Sequence, residues 1–308
     1  TVPYMNGYKS IMDNVGKTRN KGVEIALNSV NFQNNDFRWT TNVNFSLNRD
    51  KIIELRGDGK DDITNKWFIG EPLRVFYDYN VVGTWQENET YVENGHTISW
   101  DAESGKFLNE EGKEYQKGAV PGSAKLEDKD GNGSITADDK KIIGSKLPSF
   151  LLSMGNRFDY KNIYFSFLLN GVFGQTKELH DYNFDRWMPT YNYISGMDYW
   201  TPENPTSDIP AATNSSSNRV ISSRIIEDGS YLRLKNVTVG YTFPAKLVKK
   251  WKIDKARVYV AAQNLWTCTG YSGYDPEVSV RNSALTPGLD YSSYPRAYSI
   301  SFGVSLGF

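Results

Sequence analysis

Apolar residues recur at every second position in several long segments of this 308-residue chain. The last twelve residues, AYSISFGVSLGF, alternate apolar side chains with serine and glycine. A period of two is the side-chain repeat of a β-strand, so one face of this strand is apolar and the other is small and polar. Similar patterns predict further strands at 22–30, 37–48, 73–83, 150–160, 163–173, 230–243 and 256–266.

The length and the polar faces of these strands favour a membrane β-barrel over a soluble β-sandwich. Most of the segments have about 9–13 residues, the length that a tilted strand needs to cross a bilayer, whereas strands in soluble proteins average about 5–6 residues. The polar faces carry mainly Asn, Ser, Thr and Gly, which suit a crowded, wet lumen, whereas a solvated sheet face is normally charged. In 230–243, Arg233 and Lys235 share the parity of the apolar Val237 and Val239, so we expect a bulge or a strand that begins inside a loop.

Composition agrees with a barrel and excludes other classes. Aromatic residues make up 14% of the chain although its mean hydropathy is −0.56, a mixture typical of aromatic girdles around a polar interior. A net charge of −1 gives no basic surface for nucleic acid, so we expect no nucleic-acid partner. Cys268 is the single cysteine, so no intrachain disulfide can form. No apolar run approaches the ~18 residues of a transmembrane helix.

The predicted connections have two sizes. They are tight at 30–36 and 159–162 and very long at roughly 84–148, 174–229 and 267–296. Long loops without secondary structure are uncommon in soluble domains, whereas short turns on one rim and long loops on the other are typical of outer-membrane barrels. The sequence does not assign each connection to a rim.

The motif DKDGNGSITADD (128–139) has the spacing of a calcium-binding loop. Oxygen ligands at positions 1, 3, 5, 7, 9 and 12 around a tight glycine turn suit a hard cation. In this chain they are Asp128, Asp130, Asn132, Ser134, Thr136 and Asp139. Against calcium, position 12 holds Asp instead of the longer Glu, and no flanking helix pair is evident. Asp-Gly and Asn-Gly are also ordinary turn sequences, so a structural calcium site and a plain turn both stay open.

Catalytic motifs are absent from the sequence, and we expect no enzyme activity. The two histidines, His96 and His180, fall in predicted loops and are expected to be solvated. Nucleophile-elbow, HExxH, CxxC and phosphate-loop patterns do not occur. The carboxylate pairs Asp61–Asp62 and Glu110–Glu111 lie in polar, glycine-rich stretches and are expected to be solvated as well.

One predicted loop, RWMPTYNYISGMDYWTPENP (186–205), is rich in aromatic residues. Such rings stack on sugars, and tyrosine adds a hydroxyl group. The alternative is that the rings pack the loop together or against a lipoprotein lid. The candidates for substrate or lid contact are Trp187, Tyr191, Tyr193, Tyr199 and Trp200.

Several blocks together resemble the barrel of SusC/RagA-family TonB-dependent transporters of Bacteroidota outer membranes. They are NKGVEIALNSVNFQNNDFRWTTNVNFSLNRDKI (20–52), the segment 126–175 around the DKDGNGSITADD motif, EDGSYLRLKNVTVGYTFP (227–244), ARVYVAAQNLWTCTGYSGYDPEV (256–278) and GLDYSSYPRAYSISFGVSLGF (288–308). Cys268 departs from the pattern, which has an apolar or aromatic residue there.

This resemblance implies that residues 1–308 are the C-terminal part of an antiparallel transmembrane β-barrel, with about nine or ten strands. A plug and an N-terminal extension would lie outside this chain. The implied function is import of glycans or peptides across the outer membrane, with energy from the TonB–ExbB–ExbD system and a SusD-like surface lipoprotein as lid. The aromatic Phe308 would be either a signal for the barrel-assembly machinery or an ordinary aromatic residue of the girdle. Lipid would surround the barrel.

Two other classes of protein stay open from the sequence. One is a secreted, calcium-stabilised β-sandwich that binds carbohydrate, which strand length and lumen-type faces disfavour. The other is a structural or adhesion component of the outer membrane.

Overall fold

The fold is dominated by one long-stranded sheet. The computed structural model describes residues 16–179, 198–211, 222–279, 289–290, 294 and 296–308. Numbered along the chain, the sheet's strands are β1 (Gly16–Gln33), β2 (Phe37–Leu55), β10 (Phe150–Tyr160), β11 (Ile163–Phe173), β14 (Tyr231–Thr242), β15 (Lys255–Thr269) and β17 (Ser299–Gly307). They pair in the order β1-β2-β10-β11-β14-β15-β17, and every pair is antiparallel. The predicted antiparallel β-fold is therefore confirmed.

The number of wall strands and one strand position differ from the prediction. The described residues contain seven strands in the main sheet, not nine or ten. The predicted strand 73–83 is wrong, because it is divided into β3 (Val75–Asp78) and β4 (Val81–Thr84). These short strands pair with β9 (Lys141–Ser145) and β8 (Ala124–Leu126), respectively. Adjacent residues of β3 are buried, so both of its faces are covered, unlike those of a wall strand.

The two faces of the main sheet differ in chemistry. Directly opposed residues of an antiparallel pair share a face. One set of pairs, such as Ile25–Phe45 and Val260–Phe302, forms an apolar face that is largely exposed. The other set forms a polar face of small neutral residues, including Asn28, Asn42, Asn44, Ser153, Ser166, Thr238 and Ser301. We call these two surfaces the apolar face and the polar face.

The expected irregularity in β14 is a bulge. Adjacent residues Leu168 and Leu169 of β11 oppose Asn236 and Leu234, so Lys235 is the extra residue in this pairing. On one side of the bulge, Val237 opposes Phe167 on the apolar face. On the other side, Arg233 opposes Asn170 and so lies on the polar face. The bulge thus removes the Arg233 charge from the apolar face.

Short and long connections alternate without exception around the described sheet. Residues 34–36, 161–162 and 243–254 join strands at one edge, which we call the short-turn rim. The last of these connections contains the helix α1 (Ala245–Val248). Residues 56–149, 174–230 and 270–298 join strands at the opposite edge, the long-loop rim. The prediction of two sizes of connection is confirmed, and the topology now gives each connection its rim.

Aromatic rings cluster on the apolar face close to the short-turn rim. Phe158 stacks on Trp39 with ring centroids 5.6 Å apart and on Phe165 at 6.0 Å. Phe37 lies 6.5 Å from Phe158. Such a belt is typical of the interface between lipid and water. In the described part of the chain, no helix has the length and the apolar character needed to cross a membrane.

The longest connection is a folded body, which the sequence had not indicated. Its strands β5 (Thr90–Glu93), β6 (His96–Asp101) and β7 (Lys106–Leu108) form a small antiparallel sheet. Behind it lies an apolar core of Trp85, Ile98, Phe107, Tyr115 and Ala119. We call residues 79–140 the rim body. Elsewhere on this rim, β12 (Thr176–Leu179) pairs with β13 (Ile226–Asp228) and β16 (Leu289–Asp290).

Candidate functional site

The predicted calcium loop brings three carboxylates together on the rim body. Oxygen atoms of Asp128, Asp130 and Asp139 all lie within 4.8 Å of one another. The side chains of Asp128 and Asp139 are buried, whereas Asp130 is exposed. Sequence spacing therefore predicted this proximity correctly.

Backbone N–H groups hold the two buried carboxylates in place. Asp128 accepts hydrogen bonds from the N–H groups of Gly131 at 2.8 Å and Gly133 at 2.9 Å. Asp139 accepts from Lys129 N–H at 2.9 Å and Thr136 N–H at 2.6 Å. These bonds fold residues 128–139 tightly around the carboxylates, and Thr136 caps the short 3₁₀ helix Ala137–Asp139.

The other predicted ligands face each other within the loop. The Asn132 side-chain oxygen accepts hydrogen bonds from Ser134 N–H at 2.9 Å and from the Ser134 hydroxyl at 2.8 Å. The Asn132 amide donates to Asp130 Oδ2 at 2.8 Å. In the described residues no ion pair joins Asp128, Asp130 or Asp139 to a cationic side chain. The negative charge of the cluster is therefore not compensated by a salt bridge there.

The small sheet of the rim body supports this loop through His96. One ring nitrogen of His96 lies 2.6 Å from Glu110 Oε1 and the other 3.3 Å from the Gly131 carbonyl. Both partners are acceptors, so only the doubly protonated ring can donate to both. The hydrogen bond to Glu110 accordingly raises the pKa of His96 above its usual value. The expectation of a merely solvated loop histidine is wrong for His96, and His180 lies outside the described residues.

Amide side chains bind the same loop from two further positions. Asn94 Nδ2 donates to the Asp128 carbonyl at 2.5 Å, and Asn109 Nδ2 donates to the Gly133 carbonyl at 3.0 Å. Gly133 has a φ of +76°, and a Cβ atom there would lie 2.9 Å from His96 Nδ1. Glycine is therefore required at this position both by backbone conformation and by space.

Two of the five aromatic candidates for substrate or lid contact are described. Trp200 is buried, and its indole N–H donates to Gln86 Oε1 at 2.9 Å. The segment 198–211 continues this contact, since Gln86 Nε2 donates to the Pro205 carbonyl at 2.9 Å. Tyr199 is half-buried beside Trp200. Trp187, Tyr191 and Tyr193 lie outside the described residues. The segment therefore attaches the second long connection to the first, and substrate contact stays a prediction.

An ionic cluster, missed by the sequence analysis, fastens the third long connection. Arg233 is buried and contacts Asp275 Oδ1 and Glu277 Oε2, each at 2.7 Å. Lys235 and Arg296 also pair with Glu277, at 2.5 and 2.9 Å. Burial raises the pKa of Asp275, but the hydrogen bonds from Arg233 and from the Glu277 N–H, together with the charges of Arg233 and Arg296, outweigh burial and the net shift of this pKa is downward. The unusual position of two cations in β14 was the sequence signal that a partner was needed.

Glycines on the polar face leave room for tyrosine rings. A Cβ atom on Gly240 would lie 2.2 Å from Tyr164 Cε1, and one on Gly303 would lie 2.1 Å from Tyr259 Cζ. The guanidinium groups of Arg157 and Arg257 lie 4.5 and 5.8 Å from the Tyr164 ring. The contact with Tyr259 explains the glycine at position 303 in the strand face opposite the apolar residues of 297–308.

A long-stranded antiparallel sheet with an apolar face, a small polar face and two unequal rims is typical of the wall of a membrane β-barrel. No protein-family model matches the chain. TonB-dependent receptor P3 of Formosa agariphila is 33% identical over 326 residues, which cover 100% of this chain and 30% of the receptor. TonB-dependent receptor SusC of Bacteroides thetaiotaomicron is 26% identical over 316 residues, covering 100% of this chain and 28% of SusC.

Solved structures give the same result. The structure of the RagAB peptide transporter matches with a TM-score of 0.68 and 26% identity, covering 100% of this chain and 31% of that chain. The closed-closed state of the RagAB peptide importer matches with a TM-score of 0.66 and 27% identity, with the same coverage of 100% and 31%. Over its whole length the chain is similar to TonB-dependent receptors of the SusC/RagA type. It spans about 30% of the length of these relatives.

The similarity bears on two of the function classes that the sequence analysis considered, the enzyme and the secreted sandwich. The relatives are named as receptors and importers, not as enzymes, which agrees with the expectation that the chain performs no bond chemistry. The same relatives favour the importer over the secreted carbohydrate-binding sandwich.

Proposed function

We propose that this chain forms the C-terminal part of the wall of an outer-membrane importer that takes up glycans or peptides. The observation that carries the proposal is the exposed apolar face, which extends across all seven strands of the main sheet. A surface of this size is not left in contact with water by a soluble protein, whereas lipid covers it in a barrel. In this arrangement the polar face lines the lumen.

The two rims suggest how the wall lies in the membrane. Outer-membrane barrels have short periplasmic turns and longer extracellular loops, so the long-loop rim is on the cell surface. A SusD-like lipoprotein lid would then bind at this rim, as the pairing of proteins in the name RagAB supports. Energy would come from the TonB–ExbB–ExbD system through parts of the protein outside residues 1–308. Phe308, which is exposed after the last strand, would be read by the barrel-assembly machinery.

Cell fractionation with mass spectrometry tests the proposed function. We expect the peptides of this chain in the outer membrane, in a polypeptide far heavier than 35.0 kDa that co-purifies with a surface lipoprotein. Recovery of a soluble 35.0 kDa protein would contradict the proposal. An outer-membrane protein whose deletion affects neither glycan nor peptide uptake would leave the structural or adhesion role instead.

A structural calcium ion in the carboxylate loop is a second part of the proposal. Two buried carboxylates at most 4.8 Å apart repel each other by at least about 3.5 kcal/mol at an effective dielectric constant of ~20. A bound Ca²⁺ would replace this repulsion with attraction between the ion and each carboxylate. Its ligands would be Asp128, Asp130, Asp139 and neighbouring oxygen atoms, once the Asn132 side chain has rotated towards the ion. Its role would be to make the rim body rigid.

Trypsin cleavage at Lys129 and Lys140 in the full-length protein tests for the ion. We expect calcium to slow cleavage and a chelator to restore it, with Asp128→Asn abolishing the response. Asp138→Asn is the matched control, because Asp138 is an exposed neighbour outside the predicted ligand set. Cleavage that is independent of calcium in the unmodified protein would support the plain turn.

A further inference from the structure

Four cations face one another on the apolar face near the long-loop rim. The register of β1 and β2 places Arg19 opposite Lys51 and Lys21 opposite Arg49. All four share the parity of the neighbouring apolar pair Val23–Leu47 and therefore lie on the same face. Like charges directly opposite each other destabilise a sheet. Two such pairs in succession call for a compensating anion, and we name this group the basic quartet.

Nearby carboxylates do not supply that anion. Glu54 pairs with Lys17 at 2.7 Å, beyond the quartet. Asp50 opposes Asn20 on the other face of the sheet and accepts the Leu73 N–H at 3.2 Å. Across the ranges that the structure describes, no ion pair joins any member of the quartet to a carboxylate. The four charges therefore remain uncompensated by this part of the chain.

One member of the quartet is held in place by neutral groups. Arg49 NH1 donates to the carbonyl oxygens of Ser149 at 2.7 Å, Asn48 at 3.0 Å and Pro148 at 3.3 Å. These bonds fix the guanidinium group without neutralising its charge. Its other N–H groups remain to bind a phosphate, for which guanidinium geometry is well suited.

The quartet lies at the end of the apolar band, opposite the aromatic belt. From Lys21 to the irregularity at Phe32, β1 extends roughly 36 Å at ~3.3 Å per residue. A tilt of about 40° reduces this to roughly 28 Å across the membrane, close to the ~25 Å apolar band of outer-membrane barrels. The aromatic belt at the short-turn rim marks one membrane interface, so the quartet lies at the other.

We propose that the basic quartet binds the phosphate group of a lipid in the outer leaflet, whose acyl chains pack on the apolar pairs beside it. This inference depends on the membrane location given under the proposed function. The phosphate would lie between the paired cations and remove their mutual repulsion. The acyl chains would contact Val23, Ile25 and Phe45 along the same face.

Lipid binding by the full-length protein tests the proposal. The probe is monophosphoryl lipid A, compared with its dephosphorylated form, in native mass spectrometry from detergent micelles. A cation near an anionic lipid surface strengthens binding about fivefold, so Arg19→Gln with Lys21→Gln should weaken it roughly 30-fold. Lys17→Gln is the matched control, because that cation lies on the same strand but is already paired with Glu54. We expect it to leave lipid binding unchanged.

Thermal unfolding gives a second, independent measurement. In micelles without phosphate, the double variant should unfold at a higher temperature than the unmodified protein, because the repulsion is removed. With monophosphoryl lipid A the order should reverse. Equal binding of phosphorylated and dephosphorylated lipid, or unchanged binding by the double variant, would overturn the proposal. Displacement of the lipid by inorganic phosphate would identify a site for the free anion instead. A protein absent from the outer membrane would contradict the proposed function itself.

Discussion

Phe302 in the main sheet is 81% exposed, whereas Trp85 in the rim body is fully buried. The two residues represent two ways of stabilising apolar side chains within one chain. In the rim body, Trp85 stacks on Phe107 at 4.2 Å and lies under the Lys125 ammonium group at 4.7 Å. In the sheet, backbone pairing is continuous from β1 to β17, but the apolar face is largely exposed among the residues that the structure describes. The rim body therefore supplies its own core, whereas lipid would cover the apolar face of the sheet in the proposed membrane wall.

Replacing Trp85 should have the largest effect, confined to the rim body. Trp85→Ala removes the centre of its core and should cost about 3–5 kcal/mol of local stability. Hydrogen exchange of residues 79–140 in the full-length protein should rise, while exchange of the main sheet stays unchanged. Val92→Ala, on the same small sheet but exposed, should have an effect within about 0.5 kcal/mol. Simultaneous loss of protection in the sheet would show that the two regions are one cooperative unit.

A charge on the apolar face should damage the sheet and leave the rim body intact. Val237 lies at the middle of β14, opposite Phe167 and Ala262. Val237→Arg should cost about 2–4 kcal/mol because the charge enters the apolar part of the membrane. We expect less protein in the outer-membrane fraction and a lower urea midpoint. Thr238→Arg, one residue away on the polar face, should be tolerated. If both variants assembled equally well, the assignment of the two faces would be wrong.

The local sequence pattern predicted most of the sheet, because one face of the sheet is apolar and the other is polar, which makes apolar and polar residues alternate along each strand. Alternation is strict in β17, whereas β10 and β11 keep it with interruptions such as Asn156 on the apolar face and Leu168 on the polar face. The same alternation misled at 73–83, since that segment is covered on both sides within the rim. The bulge at Lys235 was predictable because two cations broke an otherwise regular apolar face.

Contacts between distant parts of the chain could not be read from local pattern. The spacing of Asp128 and Asp139 predicted their proximity, because one tight loop contains both. Neither the link from His96 to Gly131 nor the bond from Trp200 to Gln86 has such a signal, since their partners lie 35 and 114 residues away. The folded core of the rim body was missed for the same reason.

A smaller effect is expected where a tyrosine covers a glycine on the polar face. Gly303→Ala places a Cβ atom 2.1 Å from Tyr259 Cζ, so the ring must move. Overpacking of this kind costs about 1–3 kcal/mol, which should appear as a lower urea midpoint. Gly307→Ala is the control, since the nearest atom to its Cβ is 3.6 Å away. In a Tyr259→Ala background, Gly303→Ala should no longer lower the stability. A loss of stability that persists there would show that the cause is the backbone at residue 303 and not the tyrosine ring.

The smallest expected effect is the pH dependence of the rim body. Because the pKa of His96 is raised in the folded state, its bonds to Glu110 and Gly131 contribute fully below about pH 6.5. The contribution is lost as the pH rises through the raised pKa. The ratio of tryptic cleavage rates at Lys129 for His96→Asn and the unmodified protein should therefore be highest at low pH. A ratio that does not change with pH would show that protonated His96 does not stabilise the loop.

The contact between lipid and the apolar face is tested most directly by spin labels on β17. In the full-length protein with Cys268→Ser, nitroxides are placed in turn at residues 299, 300, 301 and 302, and their collisions with oxygen and with a water-soluble nickel chelate are compared. We expect oxygen access to be high at 300 and 302 and low at 299 and 301. Access of the nickel chelate should be no higher at 300 and 302 than at 299 and 301. Equal nickel access at all four positions would show that water covers both faces, which would contradict a membrane wall.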